Sequence, residues 1–184
     1  MTFAPFGRLR AALCGRDFAR DERGATIIEF ALLSVPFFAI VGAILETAVI
    51  FLSSQVLDSA VNDASRLVRT GQAQAAGYDA DDFRQAICER LFGLFDCGNL
   101  RVRVSPIEDF ASASVSSPVG DNCTNGCEWS LDEAFEGGNG TATMMVQAYY
   151  KWPMVIGFGG FDGTRLADGT KLMGSVHIFR NEPF

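Results

Sequence analysis

Histidine is almost missing from this chain: His177 is the only one. A nucleophile that needs an imidazole base therefore has a single candidate. His177 falls in an alternating stretch beside Ser175, where a shared face follows from the two-residue period of a strand, and there is no Gly-x-Ser-x-Gly elbow. The glycine-rich run WPMVIGFGGFDG, residues 152–163, is not followed by the Gly-Lys-Ser/Thr of a phosphate loop. Basic charge is also short. Fifteen Lys and Arg face 22 Asp and Glu, and the net charge of −7 speaks against nucleic acid as a partner, because phosphate backbones are bound by basic faces. Acidic neighbours such as Asp81–Asp82, Glu108–Asp109 and Asp132–Glu133 read as solvated charge, not as acid/base pairs. No enzyme, catalytic residue, cofactor or metal site is expected. What is present is apolar: 48% of the residues are hydrophobic, with 16 Phe against 3 Tyr and 2 Trp. In 184 residues, that share fits one domain with a core plus a concentrated apolar segment.

The segment is easily found. Residues 1–24 carry Arg8, Arg10, Arg16, Arg20 and Arg23 against Asp17, Asp21 and Glu22, a net of +2 that leaves −9 for residues 25–184. Residues 25–52, ATIIEFALLSVPFFAIVGAILETAVIFL, hold only two charges, Glu29 and Glu46. About 20 such residues span a bilayer at about 1.5 Å each. Basic flanks stay inside, so the leader is expected in the cytoplasm and the acidic remainder outside. A buried core helix is the bland alternative, but nothing else in the chain could sheathe a helix that is apolar all round. A removable secretory signal fits worse, because the run is too long and no A-x-A-like site follows Leu52. Instead Leu57, Val61, Ala64 and Val68 continue at spacings of four, three and four, with polar residues on the other face. One helix is expected from about Thr26 to Thr70, apolar first and then amphipathic within a segment taken as residues 53–77, with Pro36 loosening a turn and Gly71 as its stop.

The junction RGATIIEF, Arg23 to Phe30, carries the most specific signal. A basic leader ends in Gly24, the apolar helix begins at once, and Glu29 lies five residues beyond the glycine. This resembles a type IV prepilin processing site. The stretch from Gly24 through RLVRTG resembles the TadE-like family, pseudopilins of the tight-adherence (Tad/Flp) system, and the ending FRNEPF is similar to the C-termini of such proteins. The resemblance implies cleavage between Gly24 and Ala25 by a prepilin peptidase, which keeps the helix as an anchor. It implies an assembly role for Glu29, with Phe30 beside it, in which the carboxylate meets the N-terminal amine of a neighbouring subunit. A carboxylate in a bilayer costs roughly 2.5–3.5 kcal/mol on insertion scales, so such a partner matters. Glu29 at the headgroup level, favouring the positive helix end, is the plainer reading. Glu46 either reaches the far interface, about 25 Å along the helix from Glu29, or touches another helix.

From Tyr78 a compact α+β domain is expected. Asp79 and Asp82 form a cap, and Phe83, Ile87, Leu91 and Phe95 predict a helix over about residues 80–95. Residues 101–107, 141–152 and 171–180 predict three strands in an antiparallel meander. Residues 105–140 read as a long irregular loop, and the 152–163 loop either caps the core or forms an exposed contact surface. Cys14 would leave with the leader, so four cysteines remain; local pairing favours Cys88–Cys97 with Cys123–Cys127. A four-thiolate zinc site is the rival, with spacings unlike C-x2-C knuckles.

Together with the anchor and charge pattern, the resemblance implies a prepilin-like minor subunit or assembly factor in the bacterial inner membrane, with its N-terminus cytoplasmic and its domain periplasmic or carried into the surface pilus. Its expected partners are the lipid bilayer, prepilin peptidase, other Tad pilins and minor pseudopilins, and the inner-membrane assembly machinery. The alternative is an unprocessed single-pass protein whose exported domain binds a ligand or an envelope partner.

Overall fold

A computed structural model describes residues 25–120, 127–155 and 165–184. Helix α1, Ala25–Arg69, is continuous through Pro36. Arg66 and Arg69 occupy its last turn, where cations meet the negative helix end. The helix stops where the sequence places a glycine: Gly71 has φ +76°, and its N–H donates to the Val68 carbonyl. A one-turn helix α2, Gln72–Ala75, leads to α3, Ala80–Cys88. Asp79 caps α3 as expected. Its carboxylate accepts from the N–H groups of Asp81 and Asp82, while Asp82 accepts from the Asp79 N–H, a reciprocal capping box.

The chain divides into two compact units at the Ile44–Leu45 boundary. Up to Ile44, the described part of the first unit is the apolar stretch of α1, with its large side chains exposed. The second unit is α+β, as expected, with four strands rather than three. Strands β1 (Arg101–Ile107), β2 (Ala134–Phe135), β3 (Thr143–Pro153) and β4 (Thr170–Arg180) form a sheet in the order β2-β1-β3-β4. The antiparallel ladders β1–β3 and β3–β4 are the expected meander, with Val104 opposite Val146 and Val146 opposite His177. The extra strand corrects the reading of residues 105–140 as an unstructured loop. Two residues of that segment pair in parallel with β1, and Val119 and Trp129 form a further antiparallel bridge.

Alternation along β3 explains why it is buried on both faces. Met144, Val146, Ala148 and Tyr150 enter the main core with Leu57, Val61, Ala64 and Val68 of α1 and Phe83 and Ile87 of α3. Fully burying one such aliphatic side chain stabilises by about 1.5–3 kcal/mol, so the amphipathic half of α1 is a structural member of this unit. The odd-numbered Met145, Gln147 and Tyr149 are buried too, outside that core. On their side of the strand, Lys151 Nζ donates to the Cys127 carbonyl and lies 4.9 Å from the centre of the Trp129 ring. Residues 127–129 therefore lie against this second face. The Tyr149 ring covers Gly174, where an added Cβ would come within 2.7 Å of it.

The helix expected over residues 80–95 ends at Cys88. Continuing it to Cys97 would separate the two cysteines by about 13 Å, whereas a disulfide holds its Cα atoms within about 7 Å. Cys88 and Cys97 are joined, with Cα atoms 5.9 Å apart. The chain turns back through Phe92 (φ 52°) and Gly93 (φ 72°). Leu91 and Phe95 stay buried through this turn, which is why their spacing imitates a longer helix. Phe95 packs edge-on against Tyr150 and Trp152 at 4.9 and 5.5 Å.

Candidate functional site

The described residues singled out in the sequence belong to different elements. Ala25 opens α1, and Glu29 and Phe30 lie on its exposed surface one turn later. Gly24, Cys14 and Cys123 lie outside the described residues, as do Ile156, Phe158 and Phe161. Cys127 is in a disulfide, and the Cys88–Cys97 bond takes two of the four thiols out of the zinc alternative. The strongest candidate for function is α1 itself. It is long and apolar enough to cross a membrane, and none of its most apolar window is buried within the protein. A window of which no residue is buried is unlike the core helix of a soluble protein, which is mostly covered.

Four polar groups fasten the α+β unit, and sequence reading missed most of these links. Glu133, read as solvated charge, is a half-buried hub. Arg84 Nη2 and Arg101 Nη1 each donate to it at 2.7 Å, and the Val102 N–H donates at 3.2 Å. Burial opposes its ionisation, but the hydrogen bonds from Arg84, Arg101 and Val102 outweigh that and hold its carboxyl below the usual range. Arg84 is shifted the opposite way: burial disfavours its charge, and the bonds to Glu133 and Asp81 overcome this and raise its pKa. Asp168 is likewise held down despite partial burial, through the Thr170 hydroxyl and N–H and Lys151.

The third link joins α1 to β4. Ser175 Oγ donates to Asp58 Oδ1 at 2.7 Å, and His177 Nε2 lies 3.3 Å from the same oxygen. Serine, histidine and aspartate thus meet, but in the wrong order for a triad. The serine proton points to the carboxylate, whereas a nucleophile of that kind gives its proton to an imidazole oriented by the acid. Asp58 is 117 residues from Ser175, and no local pattern marks it. Beside this link a polar groove of about 320 Å³ is lined by Asn62, Asp63, Arg66, Arg69 and His177.

The fourth link closes the end of α1. The Glu182 N–H donates to the Arg69 carbonyl at 2.9 Å, and Asn181 Nδ2 donates to the carbonyls of Gly137 and Asn139. The Phe184 ring lies over Gly71, where an added Cβ would approach it to 2.6 Å. The two stretches RLVRTG and FRNEPF, quoted separately for the resemblance, are therefore in contact. Of the segment read as a 152–163 loop, residues 152–155 are described, and Trp152 and Pro153 belong to β3. Trp152 and Met154 pack on the core, whereas Val155 is 89% exposed. Its N–H donates to Glu46 Oε1 at 2.6 Å.

An α+β unit carried on a helix with the length and composition of a single-pass anchor defines the class of protein. Residues 24–66 match the family model of the TadE-like proteins, which bears out the resemblance over that stretch. This segment associates the chain with the tight-adherence pilus. No curated protein and no solved structure matches the chain.

Proposed function

We propose that this chain is a prepilin-like minor subunit or assembly factor of a Tad/Flp pilus, anchored in the inner membrane and assembled through the apolar half of α1. Residues 1–24 would be a cytoplasmic leader removed after Gly24 by a prepilin peptidase. Residues 25–52 would stay in the bilayer, and the α+β unit would lie in the periplasm or on the pilus. The observation that carries the reading is the coincidence of the TadE-like segment with a helix long and apolar enough to cross a membrane, none of whose most apolar window is buried. Association between helices in lipid depends on close packing of small residues, and Ala39, Gly42, Ala43, Thr47 and Ala48 supply them. Glu29, at the fifth position after the junction, would pair with the new N-terminal amine of a neighbour. The work is assembly rather than catalysis, and other Tad pilins, minor pseudopilins and the inner-membrane machinery are its partners.

Cells that lack the chain should lose surface pili. Wild-type protein should restore them, and Glu29→Val, present in the membrane at equal level, should not. Normal piliation without the chain would refute the proposal. The rival reading, an unprocessed anchored protein with a binding domain, draws on the polar groove beside His177. It predicts an intact leader and pili that do not depend on Glu29.

A further inference from the structure

We infer that Val155, two residues beyond the end of β3, is a second membrane contact of the exported unit, held at the outer lipid interface by Glu46. This rests on the anchoring part of the proposed function and not on processing or pilus assembly. Glu46 lies within an apolar sleeve: Leu45 precedes it, and Val49, Phe51 and Leu52 follow it, all exposed. Thr26 to Glu46 is a stretch of 21 residues, about the number that crosses the hydrocarbon. A carboxylate at that level needs hydrogen-bond donors that come with it. The Val155 N–H is one, at 2.6 Å.

The approach of Val155 to Glu46 is set by the fold. β3 pairs with β4 through Pro153 opposite Thr170, and a proline suits the last position of a strand because it has no N–H to offer the ladder. Trp152 and Met154 pack on the core, and the next side chain, Val155, is 89% exposed. An apolar side chain placed on the solvent side of its own core, at the height of a lipid-facing sleeve, has lipid as the matching partner. The contact gives Glu46 a role that neither the far-interface nor the interhelix reading supplied: it positions the domain against the bilayer.

The test uses the full chain in vesicles of phosphatidylethanolamine and phosphatidylglycerol. An environment-sensitive fluorophore is attached at Val155→Cys, at Leu33→Cys in the span and at Ser114→Cys in the exported unit, in a Cys14→Ser background under non-reducing conditions. The label at 155 should shift to the blue and be quenched by lipid carrying a nitroxide near the headgroup. The label at 33 should be quenched by a nitroxide deep in the acyl chain, and the label at 114 by neither. Glu46→Leu should abolish the quenching at 155, and Glu46→Gln, which keeps an acceptor oxygen, should preserve it. If 33 is quenched while 155 behaves like 114, the inference fails and the anchor stands. A blue-shifted label at 155 that lipid does not quench would indicate a protein contact and overturn the lipid assignment. Quenching at 155 that survives Glu46→Leu would overturn the positioning role. An unquenched label at 33 would refute the anchor and this inference together.

Discussion

The two halves of α1 use similar amino acids for opposite ends. Before Ile44, Ile27, Phe30, Leu33 and Phe37 are exposed, although they are as apolar as any residue in the protein. After Leu45, Leu57, Ala60, Val61, Ala64 and Val68 are almost fully buried against the protein's own sheet and α3. Polar spacing makes the difference. The second half interleaves Asp58, Asn62, Asp63 and Arg66 with its apolar residues and so presents a single stripe, which one sheet can cover. The first half has no polar face to leave in water, so only lipid or other helices can satisfy it. One half is specified by the fold of the α+β unit; the other presents an apolar window that the structure leaves unburied.

The sharpest way to break that contrast is to truncate one apolar residue in each half. Leu57→Ala should cost the α+β unit about 3 kcal/mol, the usual range for a fully buried leucine. Leu33→Ala should leave that stability unchanged, as read by denaturant unfolding of the full chain in detergent. Equal effects would mean that both halves belong to one core. Gly71→Ala tests the closure between the end of α1 and the C-terminus. It forces a Cβ into a left-handed backbone and against the Phe184 ring, and should cost about 2 kcal/mol. Gly77→Ala, also at positive φ but with no atom near the added Cβ, should cost less, and the difference isolates the ring contact.

The smallest expected effect carries a pH signature. Glu133→Gln should lower stability at neutral pH by about 1–2 kcal/mol, as expected for charge-assisted hydrogen bonds of a half-buried group. Because the native carboxyl is held below its ordinary value of 4.5, its contribution is complete above that value and is lost as pH falls through the lower native pKa. The gap between wild type and Glu133→Gln should therefore close in acid. A gap that is constant with pH would mean that the arginine links do not depend on the carboxylate charge.

Most of the framework was legible in the sequence because it rests on local rules. A 3.6-residue stripe gives the second half of α1, and a positive-φ glycine ends the helix. An Asp-x-x-Asp pair caps α3, and alternation marks the three long strands. The features that escaped are those made by distant partners or by pieces too short for a period. β2 is two residues long. Glu133 meets Arg84 from 49 positions away, so its neighbour Asp132 and its loop setting made it look solvated. The false extension of α3 came from Leu91 and Phe95, which keep the helical spacing while the chain runs back toward the disulfide. The cysteine spacing itself held the correction, since nine helical residues cannot bring Cys88 to Cys97.

The central claim is that the apolar half of α1 becomes a mature N-terminus ready for assembly. Its most direct test is the N-terminal sequence of the protein recovered from its native membrane, with and without a substitution at Gly24. The account predicts a start at Ala25 that disappears when Gly24 is replaced by a bulky residue. A native protein that still begins at Met1, or lacks only that methionine, would contradict it.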